Sequence, residues 1–590
     1  MSRLTLAHGV VARRRQPLIP SPRRNVRMQS SSQSEFDVLI VGSGASGGWA
    51  AKRLAEAGIK VAIVEAGRAH RDDEFMEHQR PFELRYNNLS RELLRRERPR
   101  QADCYACSEF NQHWFASDRE EPYTHPADKP FSWQGRLRLV GGRTNVWGRQ
   151  SYRLSQQDLK GYSFDGEGAD WPLAYDALAP YYDLVEGYVG VSGQAEGVPE
   201  LPDGNFQPPM PLTCAETLVR DKVKAAFGRT VTIGRTANLT RPLNGRSACH
   251  YCGPCVRGCA TESYFNSAFT TVRDAVITGN CTLVTNAMVY QVMMDEGRQL
   301  ATGLRYVDRA TRETREIRGR VVVLCAQALE SARILLNSAT PRHANGLANS
   351  SGVLGHYLMD HLWVAGGAMG DFPDIPAPAT LGQPVRPNGW YGIRFRNTTD
   401  GPRSPNFVRG FGFQGGDRVD LGWGADGFGE QRLRAMLEPV TRARFSGFGE
   451  CLPYYDNYVE IDENTVDTYG IPVLRVNMQW GANEKAMVPD MAETAAEMLD
   501  VAGARNIEPF EVPDREPGYG IHEMGVARMG DDRTTSVLNE FQQAHDVDNL
   551  FVMDAAGFPS GGCQNPTLTI MALAVRSTDF LMEAMRRGDL

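Results

Sequence analysis

Residues 36–65 constrain this chain more than any other stretch. FDVLIV is an apolar run broken only by Asp37, the pattern of a parallel strand buried on both faces. It leads straight into Gly42-Ser43-Gly44-Ala45-Ser46-Gly47, a G-x-G-x-x-G sequence. A helix is expected over 49–57, stopped by Gly58, and a second apolar strand over 61–64 ends on Glu65. Gly42 permits a tight turn, Gly44 lets backbone approach a pyrophosphate, and Gly47 lets helix pack on strand. The helix N-terminus adds unpaired N–H groups and positive dipole. Glu65, 23 residues after Gly42, is placed to accept a ribose hydroxyl. Strand, helix, second strand and acid are all present, so the unit reads as a dinucleotide site rather than a structural glycine-rich turn.

At roughly 150 residues per domain, a chain of 590 residues holds two or more domains. Its 64 basic and 71 acidic residues give a net charge of −7. No basic domain stands out, so nucleic acid is not an expected partner. No apolar window is long enough to span a membrane. Residues 1–34 are rich in Arg, Ser and Pro and lack Asp and Glu. Arg13-Arg14-Arg15 invites a twin-arginine export reading, but no apolar segment follows it. The expectation is a disordered N-terminal tail, or a true start at Met28, and a cytoplasmic protein. The alternative is a periplasmic one, exported with a partner subunit.

Downstream, the charged stretch 68–100 reads as surface helices. Residues 138–148, RLVGGRTNVWG, pair glycines with Asn and Trp so that backbone can lie against something flat. A helix is expected over 170–188 and a loop over 193–213. RVVVLCAQALESARILLN, 320–337, reads as a strand feeding a helix, a second βα unit for the same sheet. From 371 to about 517 the pattern changes. WYGIRFRN, FVRGFGFQ and YDNYVEID read as antiparallel strands, with one helix over 483–499. A strand at 549–554 and an apolar helix over 566–585 return to the first domain. The fold class is α/β: a Rossmann-like nucleotide domain at 35–350 and 519–590, with a cysteine-rich loop at 248–260. A substrate-binding domain with an antiparallel sheet is inserted at 351–518.

VGSGASGG, GGRTNVWG, HEMGVARMG and NLFVMDAAGFPSGGCQNPTLTIMALA together carry a resemblance. From Phe36 to the C-terminus the chain resembles the glucose-methanol-choline (GMC) oxidoreductases. It is most similar to the branch of gluconate, fructose and glucoside dehydrogenase large subunits and pyranose oxidases. The resemblance implies FAD, held by Gly42, Gly44, Gly47, Glu65, Gly142, Asn145, Val146, Trp147, Asp554, Pro566 and Thr567. It implies His522 as the base that takes the substrate hydroxyl proton, and Asn565 as the residue that orients the substrate oxygen. Histidine suits that task, since its ordinary pKa lies near neutrality. Asn565 before Pro566 also reads as a helix N-cap followed by Pro at the first helical position. A histidine replaces Val146 in relatives with covalent flavin, so the FAD here is expected to be non-covalent. Gln327 departs from the family glycine after VVVLCA. Asp360-His361 resembles a family segment whose expected role is a structural hydrogen bond.

Eleven cysteines are unevenly spread. Cys249, Cys252, Cys255 and Cys259 give C-x2-C-x2-C-x3-C, an iron–sulfur spacing, although Ala260 stands where Pro usually follows. An iron–sulfur cluster is the first reading. Tetrahedral zinc and free or disulfide thiols are the others. Cys249, Cys255 and Cys259 alone are similar to the three-ligand cluster site of glucoside dehydrogenase catalytic subunits. The resulting expectation is an FAD-dependent sugar dehydrogenase that oxidises a secondary hydroxyl of a glucoside or pyranoside, with C3 as one position. It passes electrons to an acceptor or cytochrome, with a small subunit as a further partner. An oxygen-using oxidase, a non-redox flavin lyase and an electron-transfer subunit are the rivals.

Overall fold

FDVLIV forms the strand Phe36–Val41 inside a seven-stranded sheet. Val61–Val64 lies parallel on one side, with Val38 beside Val61, and Cys281–Val284 lies parallel beyond it. On the other side Thr314–Leu324 runs parallel, with Val38 beside Val321, and Leu550–Val552 pairs with its end. The antiparallel strands Leu300–Asp308 and Ala287–Asp295 complete the sheet. The computed structural model describes residues 35–590 apart from 72–73, 76, 80–82, 84–90, 377–385 and 421–427. The expected tail, 1–34, lies outside the described residues.

Both faces of the parallel strands are covered, which is why their sequence is apolar rather than alternating. Val38, Ile40, Val61, Ile63, Val321 and Val323 share one core with Ala50, Leu54, Ala574 and Leu581. Leu39, Val41, Val64, Val322 and Leu324 belong to the opposite core with Ala328, Leu329 and Ala332. Burying each such aliphatic side chain contributes roughly 1.5–3 kcal/mol. The first helix is Ala45–Glu56, starting inside the glycine sequence rather than at 49. The second βα unit is present as Thr314–Leu324 and the helix Ala328–Leu336. Within 68–100, where part of the expected surface helices lies outside the described residues, Arg91–Glu97 is an α-helix. The helix expected from 170 starts later, as Tyr175–Val189, with Ala174 in extended conformation at its cap.

A second sheet is antiparallel throughout. Its order is Arg505–Glu511, Leu362–Asp371, Val440–Gly449, Phe411–Asp420, Trp390–Gly392 and Val231–Ile233. WYGIRFRN and FVRGFGFQ contribute two of these strands. YDNYVEID instead enters a separate pair, Tyr458–Val466 with Pro472–Asn477. The helix Ala482–Val501 buries Met487, Val488, Met491 and Leu499 against this sheet. Two side chains of the sheet reach toward the C-terminal motifs. His361 immediately precedes the strand Leu362–Asp371, and Gln414 sits on Phe411–Asp420. No helix among the described residues is long and apolar enough to cross a membrane.

Candidate active site

One cleft joins the glycine loop to the C-terminal motifs. Gly42, Gly44, Glu65, Gly142, Val146, Trp147, His522, Asp554, Asn565, Pro566 and Thr567 all line it. Gly42 has φ +96°, and a Cβ there would stand 2.5 Å from the Cys325 carbonyl oxygen. Gly47 lies behind the cleft wall, where a Cβ would stand 2.0 Å from the Gly42 carbonyl oxygen. At Gly44 a Cβ would meet nothing within 4 Å, so its bare edge opens on the cleft.

Glu65 is 7% exposed and ties the loops together. One carboxylate oxygen accepts from the Ser43 N–H at 2.9 Å and its hydroxyl at 2.6 Å; the other accepts from the Gly67 N–H at 2.6 Å. Three of about four acceptor positions on a carboxylate are then used, and one stays open for a ribose hydroxyl. The Ser43 hydroxyl in turn accepts from the Gly141 N–H at 2.9 Å, which fixes the second glycine loop on the first. Asn145 does not line the cleft. Its amide donates to the Val140 and Gly142 carbonyls at 3.0 and 2.8 Å and accepts from Asn266 at 2.8 Å. Asn145 therefore shapes the turn that presents Gly142 and Val146, and Trp147 is anchored by donation to the Phe265 carbonyl at 3.0 Å.

Asp554 accepts from the Gln327 N–H at 3.1 Å, from the Ser331 hydroxyl at 2.5 Å and from the Ala556 N–H at 2.9 Å. Burial pushes its carboxyl up to about 6. Gln327 caps its helix at φ +84°, a conformation that favours glycine and accounts for the family glycine at this place. Its Nε2 is buried with no hydrogen-bond partner among the described residues.

His522 is gripped from several directions. Ile521 before it has φ +59°, rare for a β-branched residue. Arg143 donates to the Ile521 carbonyl at 3.0 Å and pairs with Glu523 at 2.6 and 3.0 Å. The Asp360 carboxylate accepts from the backbone N–H groups of Gly520 and His522, each at 2.9 Å. The His522 ring meets His361, Nδ1 to Nδ1, at 3.2 Å. Burial first, and then the Arg143 guanidinium, push His522 down to about 3. The imidazole is neutral near pH 7 and has a lone pair to offer. Burial, followed by the Glu523 carboxylate, pushes Asp360 up to about 7.

Asn565 does not cap the last helix. That helix is Thr567–Arg587, with Pro566 at the cap and no side-chain cap bond. The Asn565 Oδ1 instead accepts from Gln414 Nε2 at 2.6 Å. This leaves the Asn565 Nδ2 hydrogens as donors on the cleft that His522 also lines. Gln414, and His361 as a partner of His522, are the residues that sequence reasoning missed. Arg143 and Glu523 lie inside quoted motifs, and their adjacency to expected residues was the available signal.

The residues present fit FAD. The glycine loop leaves a bare edge at Gly44 beside the start of a twelve-residue helix, where N–H groups and dipole favour phosphates. The orphaned Gln327 amide supplies a donor. The cleft continues from Glu65 to His522 without leaving the same walls.

The expected metal centre is not gathered. Among the described residues no group of three or more His, Cys, Asp or Glu side chains is arranged to hold a metal ion. Cys249, Cys252, Cys255 and Cys259 are spread along a loop with a 3-10 turn at Cys255–Arg257, and Gly253 and Gly258 have φ +94° and +102°. Two of the thiols find local donors instead. Cys249 accepts from the Tyr251 N–H at 3.5 Å and Cys259 from the Ser263 N–H at 3.3 Å.

Two family models described as GMC oxidoreductase match residues 36–363 and 453–574. The chain is 31% identical over 569 residues to 2-methyl-1,2-propanediol dehydrogenase of Mycolicibacterium austroafricanum, covering 94% of this chain and 96% of that one. It is 24% identical over 593 residues to the fructose dehydrogenase large subunit of Gluconobacter japonicus, covering 95% and 100%. Among solved structures, pyridoxine 4-oxidase from Mesorbium loti matches with a TM-score of 0.61 at 16% identity, covering 93% of this chain and 99% of that one. At that identity the likeness shows the fold.

Proposed function

The chain belongs to the GMC oxidoreductase family, FAD-dependent enzymes acting on CH–OH groups, and on that premise we propose that its substrate is a secondary ring hydroxyl of a glucoside or related pyranoside. The observation that carries the hydroxyl chemistry is the placement of His522 and Asn565 on the same cleft as Gly44 and Glu65. His522, neutral and facing the cleft, takes the hydroxyl proton as the C–O bond gains double-bond character. Asn565, its Oδ1 held by Gln414, donates from Nδ2 to the substrate oxygen and stabilises the charge that develops there. FAD would be held along Gly44, Glu65 and Asp554 and would supply the acceptor for the hydride of the carbinol carbon. The products are a ketone, a proton held at His522 and a reduced cofactor.

The sugar assignment draws on the fructose dehydrogenase relative, with C3 of a glucoside the position to test first. The 2-methyl-1,2-propanediol relative makes a small diol the competing substrate. Val146 offers no atom for a covalent flavin link, so acid precipitation should release the FAD into solution. An external acceptor or a cytochrome, with a small subunit as partner, would take up the electrons. An iron–sulfur cluster has the cysteine spacing in its favour and the loop geometry against it, so no step is routed through that loop.

The test is anaerobic titration of the FAD-loaded protein with methyl β-glucoside, fructose, gluconate and 2-methyl-1,2-propanediol, with NMR of the product. Bleaching by the pyranoside with one new ring ketone is expected. Bleaching by the diol alone would overturn the sugar assignment, and peroxide formed in step with substrate in air would make the protein an oxidase.

A further inference from the structure

His522 and His361 meet through like-named atoms, Nδ1 to Nδ1 at 3.2 Å, with the rings at 88° to one another. Between two imidazole nitrogens at this distance one must donate and the other accept. The remaining nitrogen of His361 decides which. Its Nε2 lies 3.0 Å from the Gly562 carbonyl oxygen, and a carbonyl can only accept. A neutral His361 therefore carries its proton on Nε2 and turns a bare Nδ1 toward His522. His522 donates from its own Nδ1, and the lone pair is left on Nε2. Burial, and then the neighbouring His522, hold His361 well below the ordinary histidine range, which keeps that nitrogen bare.

The surroundings leave His361 little freedom. It is 1% exposed, and the Phe448 ring lies 4.6 Å away. The carbonyl that anchors it belongs to Gly562, at φ +62°, where a Cβ would stand 2.7 Å from Gln564 Oε1 and from Leu154 Cδ2. Asp360, the preceding residue, holds the His522 backbone N–H. The pair Asp360-His361 thus fixes both the main chain and the ring of one residue.

We propose that His361 is a positioning residue that locks His522 in the tautomer with its proton on Nδ1 and its lone pair on Nε2, ready to take the substrate hydroxyl proton. This rests on the reading of His522 as the base. A purely structural histidine would alter stability and leave the tautomer and the chemical step unchanged.

The experiment uses full-length, FAD-loaded protein labelled with 15N-histidine, with His522 assigned by the signals lost in His522→Asn. In the wild type, His522 should be protonated on Nδ1 and bare on Nε2. His361→Leu should lose that preference and slow flavin reduction at saturating substrate about 100-fold, a typical contribution of a well-placed general base. Its half-saturating substrate concentration should stay within about threefold, since only the chemical step is affected. His361→Gln, whose amide can both accept from His522 and donate to Gly562, should recover the rate to within about tenfold. A wild-type His522 protonated on Nε2 would overturn the proposal, as would a folded His361→Leu variant with unchanged tautomer and rate. If His361→Leu fails to fold, the wild-type and His361→Gln spectra decide by the same criterion. If no hydroxyl compound bleaches the wild-type flavin, the reading of His522 as base fails, and the tautomer spectra still decide whether His361 locks it.

Discussion

A histidine in water loses its lone pair to a proton near pH 6.5. At His522 burial and the Arg143 guanidinium push that value down to about 3. The other groups around it are Glu523, paired with Arg143, the Asp360 carboxyl beneath its backbone and the neutral His361 ring. As the proposed base, His522 therefore stays unprotonated well into acid. Substrate-driven flavin reduction should hold its rate from about pH 7.5 to about pH 5, with no loss near the ordinary histidine value; an acid limb centred at pH 6.5 or above would contradict this. The same shift sets a sign for stability. His522 and His361 both bind protons less readily folded than unfolded. Their contribution is present above about pH 6.5 and is lost as the pH falls below it toward the folded values. Asp360 works in the opposite sense. Raised to about 7, it contributes stability at pH values below the unfolded carboxylate range and loses it as the pH rises through about 7.

The glycine loop and its helix can be taken apart by two substitutions. At Gly47 a methyl group would overlap the Gly42 carbonyl oxygen at 2.0 Å, so Gly47→Ala must shift backbone at a cost of about 1–3 kcal/mol or more. At Gly44 the methyl group would meet no protein atom within 4 Å, and the φ of −68° suits alanine. Gly44→Ala should leave the melting temperature of the FAD-free protein within about 0.5 °C of wild type, a shift under about 1 kcal/mol for a chain of this length, and weaken FAD binding at least about tenfold. Thermal melts with and without added FAD check both; a similar loss of apo stability in the two variants would contradict the assignment. This unit was legible in the sequence because all its parts lie within 36–65 and each carries a local signal. The helix start was misplaced by four residues because glycines argue against helix, whereas here they serve close packing. The cap reading of Asn565 fails for a similar reason. Asn-Pro-Thr is good grammar for a helix start, but the side chain answers to Gln414, 151 residues away.

Across the whole molecule the two sheets divide the work. The parallel sheet holds the glycine loop, Glu65 and Asp554, and the antiparallel sheet delivers His361 and Gln414 to His522 and Asn565. The parallel sheet and the family motifs could be read from the chain alone. The contacts that set the chemistry could not, because His361 reaches His522 across 161 residues and no periodic pattern encodes that distance. At the cysteine run the local spacing suggests a ligand shell, and among the described residues no group of three or more His, Cys, Asp or Glu side chains is arranged to hold a metal ion. The proposed function turns on a neutral His522 acting on a hydroxyl beside FAD. The most direct measurement mixes FAD-loaded wild type and His522→Ala anaerobically with excess methyl β-glucoside, and with each of the other hydroxyl substrates, and follows the flavin absorbance by stopped flow. The wild type should bleach with at least one of them, and His522→Ala, with its FAD still bound, should do so at least about 100-fold more slowly. Equal rates in the two proteins, or no bleaching of the wild type by any of them, would contradict a base at His522.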